Sequence, residues 1–295
     1  MLQKWFKEME TEAQISTKPM QIDVQILNKD TSRQAVENLK IQDAFTLWKN
    51  AEASLEVCIQ NPPVNFLNIA DCGYGCWPAG VTKHYSYLRK VVRYCESLKY
   101  NEINVGKPTF LPVCPVDIQQ CMGFSIVAQR GAASGWHKDQ NGVSTMLTLE
   151  GHNDNSKPED VVKYWPVFPI NRFGPEEQEA FRNGFMEHGE NWRSELQGPQ
   201  IPVIALVCGD TLIQPPGTIH APITLTDCIF TGTMVWREQD LKLSLTEWLF
   251  LTNNGSCTNE SLPQQTPEIL QYLPEVKLEL EKFGYAVEEL PLLDF

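Results

Sequence analysis

Residues 134–139 read Ser134-Gly135-Trp136-His137-Lys138-Asp139, with a histidine and an aspartate two positions apart. Side chains at positions i and i+2 of a strand point to the same face. His137 and Asp139 are therefore expected to project an imidazole and a carboxylate into one cavity. Two histidines and one carboxylate form the triad that holds non-haem Fe(II), so this pair supplies two of three ligands. The third ligand must come from a distant strand, where His220 is the candidate.

Two other histidines also precede an acid by two residues, but their surroundings differ. One pair begins at His152, in a polar run with turn-forming residues. The other begins at His188, in a Glu-rich segment that predicts a helix, where positions i and i+2 diverge. The pair at His137 alone lies between alternating apolar runs, at 124–127 and 143–149. We therefore predict His137, Asp139 and His220 as metal ligands; a surface turn with unrelated polar residues is the alternative.

The composition limits the class of protein. A chain of 295 residues that is 42% hydrophobic suits one large domain, or a core domain with an appended helical layer. The net charge of −13 argues against nonspecific nucleic-acid binding, which needs cations that neutralise phosphates. The nine cysteines contain no Cys-x-x-Cys pair, which disfavours a zinc ribbon and favours reduced, mostly buried thiols.

The same sequence gives an expectation for location and partners. Its start lacks the apolar run of a secretory signal, and its longest strongly apolar run, at 201–208, is too short to span a bilayer. We expect an intracellular protein, cytoplasmic or nuclear, that acts on a small molecule or on a protein or peptide. Neither nucleic acid nor membrane is an expected partner.

The predicted secondary structure changes in character twice along the chain. Residues 1–121 predict an α/β layer packed on the core, with a strand at 20–27 and helices at 31–49 and 81–100. Residues 122–240 are short strands separated by turns, with a helical insert at about 174–197. Residues 241–295 predict a helical segment. The fold is therefore expected to be mainly β with flanking helices, and the rhythm of strands favours a barrel or sandwich.

A second motif supports the metal site. It runs from Gly209-Asp210 through the turn Pro215-Pro216-Gly217 to His220. The double proline fixes the turn backbone and so the direction of the strand that follows. With His137-Lys138-Asp139, this motif resembles the JmjC (Jumonji C) family of cupin-fold, 2-oxoglutarate-dependent oxygenases. The resemblance covers residues 122–236. The chain also looks like the stand-alone JmjC-like proteins of fungi.

The resemblance implies a double-stranded β-helix core, of the cupin or jelly-roll type, between N- and C-terminal helical layers. It implies Fe(II) on the three ligands and 2-oxoglutarate bound to the metal, with the far carboxylate held by a basic residue and a hydroxyl. Lys163, just before Trp165, matches the position where the family often carries a lysine if 152–160 is an insertion. Separately, a buried ammonium would need an anion, which a dicarboxylate cosubstrate supplies. The alternatives are a strand-end lysine that reaches solvent, or Arg130 in the same role.

Three hydroxyls compete for the other contact to that carboxylate. Ser134 matches the family position, and Thr148 or Thr145 could supply the hydroxyl instead. The chain departs from the family in an insertion at 152–160, which affects the register of Lys163, and in lacking a zinc-binding reader sequence.

The activity implied is that of an Fe(II)- and 2-oxoglutarate-dependent dioxygenase, which hydroxylates or oxidatively demethylates a small molecule or a protein. Two alternatives stay open: a metal-dependent cupin enzyme that does not use 2-oxoglutarate, and a JmjC-like regulator or histone-directed demethylase.

Loops on a rigid barrel commonly select the substrate. The segments at 152–160 and 174–197 are therefore expected to cover the barrel mouth, with Phe185 or Trp192 near the pocket. The alternative is that the helical insert only packs on the outside.

Overall fold

The computed structural model describes residues 2–15, 21–28, 33–51, 61–70, 123–152, 157, 160–189, 201–260, 274 and 278. The predicted helix at 81–100 and Trp192 lie outside the described residues, as do most of the insertion at 152–160 and most of the chain after 260. The elements that follow are α1 (Leu2–Ile15), β1 (Gln21–Asn28), β2 (Arg33–Lys40), α2 (Ile41–Ala51), β3 (Asn65–Ala70), β4 (Phe124–Ala128), β5 (Ser144–His152), β6 (Lys163–Pro166), α3 (Pro175–His188), β7 (Val203–Leu206), β8 (Thr211–Gln214), β9 (Ile223–Thr224), β10 (Cys228–Val235) and α4 (Leu241–Asn253).

Among these residues the strands form two antiparallel sheets. The larger has seven strands in the order β2-β1-β3-β4-β10-β5-β8, and the smaller has three in the order β7-β6-β9. Every residue of β10 is buried, because this strand has neighbours on both sides and is covered on both faces. The predicted class, mainly β with a jelly-roll-like core and flanking helices, is confirmed.

The two sheets face each other across the core. Along β6, Lys163 and Trp165 are buried while Tyr164 between them is exposed, which is the alternation of a strand with one inner face. The ammonium nitrogen of Lys163 lies 4.8 Å from the centroid of the Phe230 ring on β10. The inner face of the small sheet therefore meets the inner face of the large one.

The N-terminal helices pack on the opposite face of the large sheet. Trp5 of α1 and Phe45 and Trp48 of α2 surround Phe66 of β3 in one buried cluster. Their ring centroids lie 5.2–6.3 Å from that of Phe66, within the range of aromatic pairs. Because β1 and β3 continue the sheet of the central strands, the N-terminal segment and the core share one sheet. The division of the chain at residues 121 and 240 stays a prediction.

The strand predicted at 20–27 is confirmed as β1, but the helix predicted over 31–49 is wrong in its first half. Residues 33–40 form β2, which pairs with β1 along its full length, and the helix begins only at Ile41. Ala35 and Leu39 are four residues apart, and this spacing places two side chains on one face of a helix and of a strand alike. Pairing with β1 makes this segment a strand rather than a helix.

The helical segment predicted from residue 241 contains α4, and the helical insert predicted at about 174–197 contains α3. Phe181 and Phe185 of α3 join a buried cluster with Phe168, Leu251 and Cys257, with Trp136 and others packed against it. The structure thus places Phe185 within a packed cluster that reaches the residue before His137. Coverage of the barrel mouth by the insert stays a prediction.

Helix α4 also packs against the turn that follows Asp139. Gly142 in this turn has φ of +56°, and a Cβ atom there would lie 1.9 Å from the carbonyl oxygen of Ser244. Only glycine permits this approach of two backbones. The contact fixes the position of α4 beside the 134–139 stretch.

No helix in the described part of the chain is both long enough and apolar enough to cross a membrane.

Candidate metal centre

Backbone pairing brings the two predicted histidines together. The amide of His137 donates to the carbonyl of His220 at 3.0 Å, and the amide of His220 donates back to the carbonyl of His137 at 3.0 Å. The two residues form an isolated antiparallel bridge, and their ring centroids lie 4.2 Å apart. His137 and His220, 83 positions apart in sequence, are therefore neighbours in the structure.

Asp139 completes a group of three metal-ligand types. One ligand atom from each of His137, Asp139 and His220 can be chosen so that all lie within 4.8 Å of one another. The two histidines are buried, and Asp139 is half-buried. The donor set of two imidazoles and one carboxylate is that of non-haem Fe(II) sites with open coordination positions. The predicted ligands are thus brought together as a group that could hold a metal ion.

The rings of both histidines are oriented by backbone carbonyls. Nδ1 of His137 lies 2.7 Å from the carbonyl oxygen of Gly135, and Nδ1 of His220 lies 3.1 Å from that of Thr218. A carbonyl oxygen only accepts, so each Nδ1 carries the proton and donates it. Each Nε2 then keeps its lone pair for a metal ion, in the arrangement usual for metal-binding histidines.

Asp139 is held through one of its two oxygens. Oδ2 accepts hydrogen bonds from the Thr145 hydroxyl and from the Gln214 amide, the latter at 2.8 Å. Oδ1 lies 3.5 Å from Nε2 of His220. Because two donors occupy Oδ2, Oδ1 is the oxygen available for a metal ion.

A chain of contacts extends this support to the small sheet. The indole nitrogen of Trp165 donates to the side-chain oxygen of Gln214 at 3.0 Å, which fixes the orientation of the amide that reaches Asp139. The Trp165 ring also stacks on His220, with centroids 5.0 Å apart and an interplanar angle of 9°. Trp165 of β6 therefore positions two of the predicted ligands: Asp139 through Gln214, and His220 by stacking.

Burial sets the protonation state of the histidines. It lowers the pKa of His137 well below 6.5, and the neighbouring His220 lowers it further, against the effect of the Gly135 carbonyl. Burial also lowers the pKa of His220, although the Asp139 carboxylate raises it in part. Both imidazoles are thus neutral at neutral pH, which is the state that binds metal.

Lys163 brings a buried cation next to this group. The residue is 4% exposed, and burial lowers the pKa of its amine. Its nitrogen lies 5.8 Å from the centroid of the Trp165 ring, which stacks on His220, and its charge lowers the pKa of both histidines. Within the part of the chain that the structure describes, no carboxylate lies within ion-pair distance of this ammonium. The rings of Trp165 and Phe230 lie beside it, and it also interacts with the buried Cys228 thiol.

The other predicted contacts to the cosubstrate lie elsewhere. Thr148 shares a hydrogen bond of 2.8 Å with Thr211 and lies on the face of β5 opposite Thr145, away from the ligands. The hydroxyl of Ser134 donates to Gln25 at 2.9 Å. Arg130 is exposed on a turn. The structure does not bring Thr148 or Arg130 to the ligand group, and the roles suggested for the three residues stay predictions.

His188 differs from the ligand pair in its exposure. The side chain of His188 on α3 is 55% exposed and lies 3.9 Å from Glu187. His152 ends β5, and its side chain is not among the described ones.

Sequence reasoning missed the residues that hold the ligands. Trp165 lies two positions after Lys163, so the same i and i+2 spacing that identified the ligand pair could have placed it on the inner face. The contact of Gln214 with Asp139 depends on the pairing of β5 with β8, which no local pattern indicates. Glu260 was also missed: burial and the nearby carboxylates of Asp139 and Asp23 raise its pKa to about 8.

The first prediction concerns the support of Asp139. We expect Gln214→Met to weaken binding of Mn(II) by about 10- to 100-fold, because removal of a hydrogen bond to a metal ligand has effects of this size. Thr148→Val is the matched control, since it removes a hydroxyl on the other face of the neighbouring strand. Calorimetric titration with Mn(II) measures both. Equal affinities in the wild type and Gln214→Met would contradict the role given to Gln214.

The second prediction concerns pH. The native histidines resist protonation, whereas in the unfolded chain they take up a proton near pH 6.5. The unfolded state thus binds more protons as the pH falls through this value, and the metal-free protein loses stability. Thermal unfolding in a chelator, from about pH 7.5 to about 5.5, should show a smaller loss in His137→Gln/His220→Gln. His188→Gln is the control and should behave as the wild type; equal losses in all three proteins would refute the prediction.

Comparison with known proteins gives a distant relative. No protein-family model matches the chain. Over 173 residues the chain is 25% identical to KK-1 biosynthesis cluster protein D of Curvularia clavata. The matched stretch is 58% of this chain, which spans only 15% of the length of that relative. This similarity and the His-Asp-His group together fit a protein with an oxygenase-like fold that could hold a metal ion.

Proposed function

We propose that this protein is an Fe(II)- and 2-oxoglutarate-dependent oxygenase of the JmjC type. The observation that carries the proposal is the buried ammonium of Lys163, which lies against Trp165, the residue whose ring stacks on the ligand candidate His220. A metal site alone would suit many cupin enzymes. A buried cation with no described acid within ion-pair distance adds a requirement for an anion, and the far carboxylate of 2-oxoglutarate supplies one.

His137 and His220 would hold the metal through Nε2, and Asp139 through Oδ1. Bound Fe(II) supplies the chemistry in which O2 oxidises 2-oxoglutarate to succinate and CO2 and places its second oxygen atom in a substrate C–H bond. The residues of the chain bind and orient the reactants. Backbone carbonyls hold the two imidazoles, and Thr145 and Gln214 hold the carboxylate, so the ligands need no rearrangement when the metal arrives.

Lys163 would bind the far carboxylate of the cosubstrate. The rings of Trp165 and Phe230 lie 5.8 and 4.8 Å from its nitrogen and limit the access of water to it. An ion pair in such an apolar setting is stronger than one in solvent. Bound 2-oxoglutarate would also give the buried Lys163 ammonium an anionic partner.

We propose a small molecule as the substrate. The name of the distant relative refers to a biosynthesis cluster, which favours chemistry on a small molecule over modification of a protein. The product would be hydroxylated, or demethylated where the attacked carbon is bonded to nitrogen.

The third prediction tests the cosubstrate site. An ion pair to a carboxylate contributes about 1.5–3 kcal/mol, which corresponds to about tenfold or more in affinity. Lys163→Met should therefore raise the dissociation constant of 2-oxoglutarate by about this factor and leave Fe(II) affinity unchanged. The measurement is an anaerobic titration of the Fe(II)-loaded protein, followed through its visible charge-transfer absorption.

Lys49→Met is the control, because Lys49 is an exposed lysine of α2, which packs on the opposite face of the large sheet. It should bind 2-oxoglutarate as the wild type does. An unchanged dissociation constant in Lys163→Met would show that Lys163 does not bind the far carboxylate of 2-oxoglutarate. A wild-type protein that binds Fe(II) but not 2-oxoglutarate would overturn the proposed class and favour a cupin enzyme of another kind.

A further inference from the structure

Helix α4 carries an acid that faces the ligand-bearing stretch. Oε2 of Glu247 lies 2.5 Å from Nζ of Lys138, and the two side chains are only 17% and 11% exposed. Lys138 lies between His137 and Asp139 in sequence. In an extended segment its side chain points away from the face of its two neighbours. His137 and Asp139 therefore point toward the ligand group, while the lysine between them points toward α4.

Other contacts fix Lys138 in this position. Its backbone amide donates to the carbonyl of Cys257 at 2.9 Å, just after α4. Its ammonium lies 4.2 Å from the centroid of the Phe250 ring, which is one turn along α4 from Glu247. The lysine is thus held by an acid, an aromatic face and a backbone carbonyl, all from the chain between residues 247 and 257.

The same glutamate touches the segment that carries the other histidine. A Cβ atom at Gly217 would lie 2.5 Å from the carboxyl carbon of Glu247, so the side chain lies directly on the backbone of this glycine. Gly217 ends the double-proline turn, and the next residue, Thr218, holds Nδ1 of His220 through its carbonyl. Glu247 therefore contacts both segments that carry metal ligands.

The geometry points to Glu247 as a positioning residue for the metal site. We infer that it fixes the His137–Asp139 segment, through Lys138, relative to the His220 segment, through Gly217. The inference rests on the proposed function in that it takes these three residues to be metal ligands. Buried ion pairs contribute little net stability, because desolvation offsets their attraction. The inferred contribution of this pair is to the relative placement of the two segments.

The test uses Co(II), whose visible absorption spectrum reports the geometry of its ligands. The variants are Glu247→Gln and the double variant Lys138→Met/Glu247→Gln. Glu247→Gln leaves the Lys138 ammonium buried without its acid and is expected to lower thermal stability. The double variant removes both charges, so its thermal stability should return toward that of the wild type.

The affinity for Co(II) distinguishes an effect on the placement of the metal ligands from an effect on the stability of the fold. In both variants we expect affinity about tenfold or more below that of the wild type, together with a changed absorption spectrum. Lys242→Met, which alters an exposed lysine of α4, is the control and should match the wild type. If the stable double variant bound Co(II) with wild-type affinity and spectrum, the pair would only stabilise the fold and the inference would be wrong.

Gly217→Ala tests the second contact independently. A methyl group there must displace the Glu247 carboxyl, and we expect the same change in the Co(II) spectrum. Gly209→Ala is its matched control, because Gly209 also has a positive φ but nothing lies within 4 Å of a Cβ atom at that position. An unchanged spectrum in Gly217→Ala would overturn this half of the inference. Failure of the wild type itself to bind Co(II) would overturn the proposed metal site and the inference together.

Discussion

Two backbone hydrogen bonds between His137 and His220 are the constraint on which the site depends. Each amide of the pair donates to the other carbonyl at 3.0 Å, and this bridge joins parts of the chain that are far apart in sequence. Once the bridge is formed, the alternation of side chains along each segment brings both imidazoles and the Asp139 carboxylate together as one group. The sheets, the double-proline turn and α4 all act to hold the two bridged segments in register.

The site is costly for the fold in the absence of ligands. Both histidines and Lys163 are buried and Asp139 is half-buried, so these groups lose much of their contact with water, and burial lowers the pKa of both histidines and of the lysine. Hydrogen bonds offset part of the cost for the histidines and for Asp139. Lys163 lacks an ion pair within the described residues. A bound divalent cation and a dicarboxylate would offset the rest, so ligand binding and stability are expected to be coupled.

Much of this arrangement could be predicted from the sequence, because local patterns encode local geometry. The i and i+2 spacing of His137 and Asp139, and the turn before His220, identified a group that the structure does bring together. The mainly β core followed from the rhythm of short strands and turns. The features that could not be predicted are those set by contacts between elements that are distant in sequence. A spacing of four residues could not distinguish β2 from a helix, and no local pattern indicated that Gln214 would reach Asp139 or that Glu247 would reach Lys138.

The most direct test of the account is an anaerobic crystal structure of the protein with Mn(II) in place of Fe(II) and with 2-oxoglutarate. We predict one anomalous-scattering peak at the site, bound by Nε2 of His137, Nε2 of His220 and Oδ1 of Asp139, with the far carboxylate of 2-oxoglutarate against Lys163. A metal peak bound by other residues, or none at these three in crystals saturated with Mn(II), would contradict the account.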